Sequence, residues 1–124
     1  MSNIIETLKN CSDYIGGTGR TEEEIKSTEK QIGVEFASDY RSYLKEIGLA
    51  CFDGHELTGI CNSARLNVSD VTTAQREQYP EACSWYVIEQ TNIDGIIIWQ
   101  SSDGIVYQTA PGSRTRKIFN SLTE

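Results

Sequence analysis

Three short apolar runs between residues 84 and 109 constrain the fold of this chain more than any other stretch. The runs at 85–88, 96–99 and 105–107 are rich in β-branched and aromatic side chains, which pack well on a pleated surface. The two connectors between them end in Asp94-Gly95 and Asp103-Gly104, and Asp-Gly favours the left-handed backbone that tight hairpin turns require. The pattern predicts a three-stranded antiparallel meander, which needs helices to cover an apolar face.

The chain before residue 49 carries helical patterns that can supply this cover. A first helix is predicted from the apolar spacing of Ile4, Ile5, Leu8 and Cys11. A second helix starts at a capping box, in which Thr21 and Glu24 each accept the backbone amide of the other, and it is expected to end at Gly33. A third is predicted to begin with Ser38 as its cap and to bury one stripe, formed by Tyr40, Tyr43, Leu44 and Ile47.

The remaining segments are shorter. Residues 49–52 and 55–61 are predicted to be short strands or an irregular hairpin that enters the sheet, and Asp70 is predicted to cap a weak helix that stops before Pro80. For residues 114–122 the pattern leaves a strand and a helix open. Together these features predict one α+β domain over residues 1–124, with a mainly antiparallel twisted sheet and N-terminal helices covering it.

Composition and charge exclude several classes of protein. A length of 124 residues is sufficient for one domain, and no long apolar run or leader-like start is present, so we expect a cytoplasmic protein that spans no membrane. Four scattered cysteines indicate buried thiols rather than a disulfide framework. The net charge of −7 repels phosphate backbones, which predicts a basic protein partner rather than direct binding to nucleic acid, although acidity also serves solubility alone.

Two clusters of residues are candidate chemical sites. Cys51, Asp53 and His55 are close enough in sequence to suggest a thiol nucleophile, and Cys51, His55, Cys61 and Cys83 are a possible zinc ligand set. The chain has a single histidine, and the cysteines lack the short paired spacing of zinc knuckles. We therefore predict a binding protein, with no catalytic site, metal or cofactor.

Several segments from Thr21 to Tyr107 also follow a recognisable order. They are the acidic capped start at 21–25, Gly-Val-x-Phe-x-x-Asp-Tyr-Arg-x-Tyr-Leu at 33–44, Ile47-Gly48, FDGHELTGI at 52–60, Leu66-Asn67-Val68, and the hairpin that starts with WYVI at 85–88. In this order the chain resembles the SUKH superfamily of bacterial immunity proteins, which share a domain with a fungal regulator of cell-wall synthesis. The resemblance implies a small α+β domain that binds and neutralises a toxin domain, commonly a nuclease or a deaminase.

The distribution of charge indicates where such a partner would bind. Residues 77–113 contain five acids and no base, and residues 46–64 add three acids without a lysine or arginine. Aromatic anchors inside a charged rim are typical of tight interfaces. We therefore predict an acidic binding face that includes the exposed one of the two tryptophans; the candidate residues are Asp53, Glu56, Glu89, Asp94, Asp103, Trp85 and Trp99. The alternative is a regulatory or scaffold module that binds an endogenous protein, because it needs the same kind of exposed face.

Overall fold

A computed structural model of the chain describes residues 15–16, 19–52, 55–61, 63, 66–91, 95–112 and 115–119. These residues form a seven-stranded sheet in which the strands are neighbours in chain order and every pair is antiparallel. The strands are β1 (Ile15–Gly16), β2 (Ala50–Phe52), β3 (His55–Leu57), β4 (Trp85–Gln90), β5 (Ile97–Ser101), β6 (Val106–Thr109) and β7 (Arg116–Phe119). The helices are α1 (Glu22–Ile32), α2 (Ser38–Glu46) and α3 (Val68–Gln78), followed by a 3-10 turn at Pro80–Ala82.

This architecture confirms the α+β prediction and the meander, which is formed by β4, β5 and β6. Gly95 and Gly104 both adopt positive φ angles, 70° and 96°, as the two Asp-Gly turns predict. The C-terminal element, left open between strand and helix, is the strand β7. The helix predicted around Ile4–Cys11 lies outside the described residues, and none of the described helices is long and apolar enough to cross a membrane.

Helix α1 begins and ends as predicted. The Thr21 amide donates to Glu24 Oε1 at 3.0 Å, and the Glu24 amide donates to Thr21 Oγ1 at 3.2 Å, which completes the capping box. At the other end Gly33 has φ 75° and its amide donates to the Glu29 carbonyl at 2.8 Å. The Glu29 carboxylate then accepts the amide of Phe36 at 2.7 Å, so the connection from α1 to α2 is short and held in place.

The starts of the other two helices differ from the predictions. Ala37, not Ser38, is the N-cap of α2, because its extended backbone donates an amide hydrogen bond to the buried Tyr86 hydroxyl at 2.9 Å. Helix α3 begins at Val68, with Asn67 as N-cap instead of Asp70, because the Val68 amide is bonded to the Gly59 carbonyl at 2.7 Å. Both corrections have one cause: a contact distant in sequence determines where the helix starts.

The sheet separates two apolar cores. The first lies under α1 and α2 and contains the predicted tyrosine stripe together with Tyr86, Ile88 and Val106. The second lies on the opposite face under α3 and the 3-10 turn, and we call it the second core; its buried members are Val71, Tyr79, Ala82, Val87, Ile97 and Trp99. Because neighbouring residues of a strand alternate between faces, β4 contributes to both cores.

A buried polar network joins the first core to the central strand β5. The Tyr86 hydroxyl donates to Gln100 Oε1 at 2.6 Å, and Gln100 Nε2 donates to the Asp39 carboxylate at 3.0 Å. Gln100 is fully buried, and burial raises the pKa of Tyr86 well above its usual value. Since these polar groups satisfy one another, the network orients β4 and β5 against α2.

Candidate partner-binding surface

Trp85 and Tyr107 form a stacked aromatic pair on the face of the sheet that carries the second core. Their ring centroids are 3.9 Å apart and their planes differ by 11°. The two residues belong to β4 and β6, which lie about 10 Å apart because β5 runs between them. Ser101 of β5 pairs with Trp85. Because the Ser101 side chain is small, the rings of Trp85 and Tyr107 can meet above it. Both rings are partly exposed, and we call Trp85 and Tyr107 the aromatic pair.

The other tryptophan is not part of the surface. Trp99 is fully buried in the second core, its indole N–H donates to Thr109 Oγ1 at 2.8 Å, and Tyr79 packs edge-on against its ring. Trp99 therefore cannot contact a partner in this structure. Of the two tryptophans that the sequence leaves open, Trp85 is the exposed one.

The backbone of Trp85 is held by a side chain of α3. Among the residues that the structure describes, strand β3 pairs with β4 at Leu57 and Glu89, and no described strand pairs with the first half of β4 on that side. Arg76 fills part of this gap: its guanidinium donates to the Trp85 carbonyl at 2.7 Å and to the Ile32 carbonyl at the end of α1 at 2.6 Å. Partial burial lowers the pKa of Arg76, and the two carbonyl bonds fix the position of the guanidinium.

Asp103 lies in the turn beside the aromatic pair. Its carboxylate accepts a short hydrogen bond from the Ser101 hydroxyl. That bond, backbone amides of the turn and the positive charge of Lys117 lower the pKa of the Asp103 carboxyl, so the exposed side chain is ionised at neutral pH. Lys117 is opposite Tyr107 in β7, so an exposed cation lies on the β7 side of the pair.

The other predicted acids are distributed along the sheet. Leu57 pairs with Glu89, so these two residues share a face, and Glu56 belongs to the opposite face. Glu89 is also four residues from Trp85 along β4, about 13 Å. The structure thus brings Asp103 and Trp85 to one end of the meander and separates Glu56 and Glu89 from them. Asp53 and Asp94 lie outside the described residues.

Acids of α1 lie beside basic side chains. Arg41 pairs with Glu29 through a short contact and with Glu22 at 3.3 Å, and Lys45 lies 3.5 Å from Glu22. An open groove of about 410 Å³ runs between α1 and the segment that follows β3; it is lined by Glu23, Glu24, Ser27, Thr28, Gln31, Ile60, Cys61 and Asn67. Its walls combine charged, polar and apolar side chains.

The thiol and zinc alternatives gain no support from the described positions. Cys51 pairs in the hairpin with Glu56, and its thiol donates to that carboxylate at 4.0 Å, whereas His55 pairs with Phe52. Cys51, Cys61 and Cys83 are free thiols, but the prediction that the cysteines are buried is wrong at these positions: Cys51 and Cys61 are half-buried and Cys83 is exposed. Among the residues that the structure describes, no group of three or more His, Cys, Asp or Glu side chains is placed to hold a metal ion.

Comparison with known proteins identifies a protein family that matches this chain. The family model SUKH_5, described as SMI1-KNR4 cell-wall, matches residues 1–124, the full length of the chain. A comparison with curated proteins gives no match. The family match agrees with the resemblance that the order of sequence segments indicates.

Proposed function

The chain belongs to the SMI1-KNR4 cell-wall family of SUKH domains, and on this premise we propose that it is an immunity protein. It binds a cognate toxin domain of a polymorphic or contact-dependent system in the cytoplasm and neutralises it without chemistry of its own. The observation that carries the proposal is the family match over all 124 residues, since immunity proteins are frequent among SUKH domains.

Charge supports a toxin that acts on nucleic acid, such as a nuclease. Such a toxin presents a basic cleft to its phosphate substrate, and a protein of net charge −7 is attracted to that cleft over long range. The five acids in residues 77–113 have no lysine or arginine between them, whereas Arg41 and Lys45 offset part of the charge of α1. We take the end of the sheet that carries Trp85 and Asp103 as the approach for a basic domain, on the side away from Lys117.

We propose two roles for the acids predicted from the sequence. Asp103 contributes to the contact, and Asp94, from the sequence segment that precedes β5, adds its negative charge. Glu56 and Glu89, which occupy opposite faces, and Asp53 contribute to the field that steers association rather than to one continuous patch.

The test is inhibition and association kinetics with the purified C-terminal domain of the protein encoded directly upstream. The wild-type protein should abolish the activity of that domain, and the pair Asp94→Asn and Asp103→Asn should associate severalfold more slowly, with a weaker salt dependence. A matched control, Glu23→Gln with Glu35→Gln, removes the same charge from exposed positions elsewhere. Equal slowing by both pairs would contradict the placement, and full toxin activity in the presence of the wild type would contradict the function.

The description of the family favours a second candidate, because it names the cell wall. In that case the same surface binds an endogenous regulatory protein, and the domain is a scaffold. Recovery from native extract of one stoichiometric partner that is not a toxin, together with no inhibition of the neighbouring toxin domain, would support this candidate over immunity.

A further inference from the structure

We infer that the aromatic pair is the contact site for an arginine side chain of the toxin domain. The inference rests on the proposed immunity function and names the chemistry of its interface. It starts from the position of Trp85 and Tyr107: both rings lie on the sheet face of the second core, are partly exposed, and stack on one another at 3.9 Å.

The pair is preorganised for binding. Both rings pack against the second core, and the Trp85 backbone is tied to α1 and α3 through the bonds of Arg76. Stacking between aromatic rings adds stabilisation beyond the area that it buries, which favours ordered rings in the absence of a partner. A surface whose side chains are already ordered loses little conformational entropy when it binds, and rigid Trp and Tyr side chains are the usual anchors of tight interfaces.

The charge around the pair favours a cation. Asp103, ionised at neutral pH, lies in the turn next to Ser101, which itself pairs with Trp85. On the side of β4, residues 77–103 contain no lysine or arginine, and Arg76, which precedes them, already donates its hydrogen bonds to the Trp85 and Ile32 carbonyls. Lys117 of β7 lies opposite Tyr107 and acts on the Asp103 carboxylate, whereas β5 and β6 lie between it and Trp85, so the Trp85 ring is the part of the pair farther from this cation.

The geometry favours arginine over lysine as that cation. A guanidinium is planar and weakly hydrated, stacks on an indole ring and donates hydrogen bonds to a carboxylate in the same plane. Trp85 offers the ring and Asp103 the carboxylate, at the same end of the meander. A basic cleft that binds phosphate is expected to present such arginines.

The experiment measures the Kd of the purified upstream toxin domain for three forms of the protein: wild type, Trp85→Leu and Trp85→Phe. Leucine preserves an apolar side chain over the second core but removes the ring, and phenylalanine retains a ring. We expect roughly tenfold weaker binding for Trp85→Leu, and a smaller loss for Trp85→Phe. Circular dichroism and thermal melts establish that each variant is folded.

Two further measurements complete the test. In a Trp99→Phe variant Trp85 is the single tryptophan, and its emission should change on addition of the toxin domain with the wild-type Kd. Lysine replacement of each toxin arginine, combined with Trp85→Leu in a double-mutant cycle, should identify one arginine that is coupled to Trp85.

The outcomes separate the two proposals. Tight wild-type binding with equal affinity for Trp85→Leu, unchanged Trp85 emission and no coupled arginine would overturn the inference while the immunity function stands. Failure of the wild-type protein to bind or inhibit the toxin domain would overturn both. Equal losses for Trp85→Leu and Trp85→Phe, without a coupled arginine, would assign the effect to apolar packing and overturn the arginine contact.

Discussion

Replacement of Gly59 by alanine should be among the most damaging single changes in the described part of the protein. A Cβ at this position would lie 2.9 Å from the carbonyl carbon of Gly48 and 3.2 Å from the Cα of Leu49, with the Gly48 carbonyl oxygen nearer still. These are backbone atoms, so no side-chain rotation relieves the collision. The chain must separate at the point where the segment after β3 meets the segments before β2 and α3.

The expected cost follows from the hydrogen bonds at this point. The Gly59 amide donates to Leu66 at 2.9 Å, its carbonyl accepts from Val68 at 2.7 Å, and Ile60 donates to Gly48 at 3.2 Å. Each bond contributes about 1 kcal/mol, so losing two or three of them costs about 2–3 kcal/mol. A single domain has only about 5–15 kcal/mol of stability, and the midpoint of thermal unfolding should fall by about 8–12 °C.

Urea unfolding of the wild type, Gly59→Ala and Gly33→Ala tests this reasoning. Gly33 is a matched control, since it has φ 75° but no atom within 4 Å of an added Cβ. Alanine there costs only backbone strain, about 1 kcal/mol. Gly59→Ala should therefore lose at least twice as much free energy of unfolding as Gly33→Ala, and an equal or smaller loss would refute the close-approach argument.

Three further predictions concern hydrogen bonds and ionisation. Tyr86→Phe leaves two buried partners of the hydroxyl unsatisfied and should lower the free energy of unfolding by about 2–3 kcal/mol in urea titrations; a loss below about 1 kcal/mol would contradict the network. Thr21→Ala should cost about 1 kcal/mol at neutral pH. The hydrogen bond from the Thr21 backbone amide lowers the pKa of Glu24, so the stabilisation from the ionised Glu24 carboxylate is present above the usual pKa of 4.5 and is lost as pH falls through the lowered value; unfolding of Glu24→Gln should therefore depend less on pH in that acidic range than unfolding of the wild type. Burial raises the pKa of Tyr40 above its usual value of 10.0, so stability should decline as pH rises above this value, and ultraviolet absorbance should show Tyr40 ionising only on unfolding.

Local signals in the sequence account for much of this fold. The Asp-Gly turns, the capping box at Thr21 and the stop at Gly33 depend on residues a few positions apart, and the structure confirms each of them. The starts of α2 and α3 were predicted wrongly at Ser38 and Asp70. They depend on hydrogen bonds between segments far apart in the chain, which periodicity and capping preferences do not contain.

Less of the candidate binding surface could be predicted from the sequence. Trp85 and Trp99 are on the same sheet face, and their exposure differs because Tyr79 and its neighbours cover the middle of β5 and not the start of β4. Tyr107 is a partly exposed residue that the sequence predictions omit. The available signal is its position in the third apolar run, where Tyr107 pairs with Trp99 and so shares its face of the sheet. The positions of Glu56 and Glu89 on opposite faces depend on the register between β3 and β4, which no local pattern specifies.

The measurement that tests the central claim most directly is a titration of this protein against the purified C-terminal domain of the protein encoded directly upstream, repeated across a salt series. An acidic immunity protein that covers a basic cleft should bind with roughly nanomolar Kd, and its association should weaken steeply as ionic strength rises. Absence of binding at every ionic strength would contradict the immunity function, and tight binding without any salt dependence would contradict the acidic face.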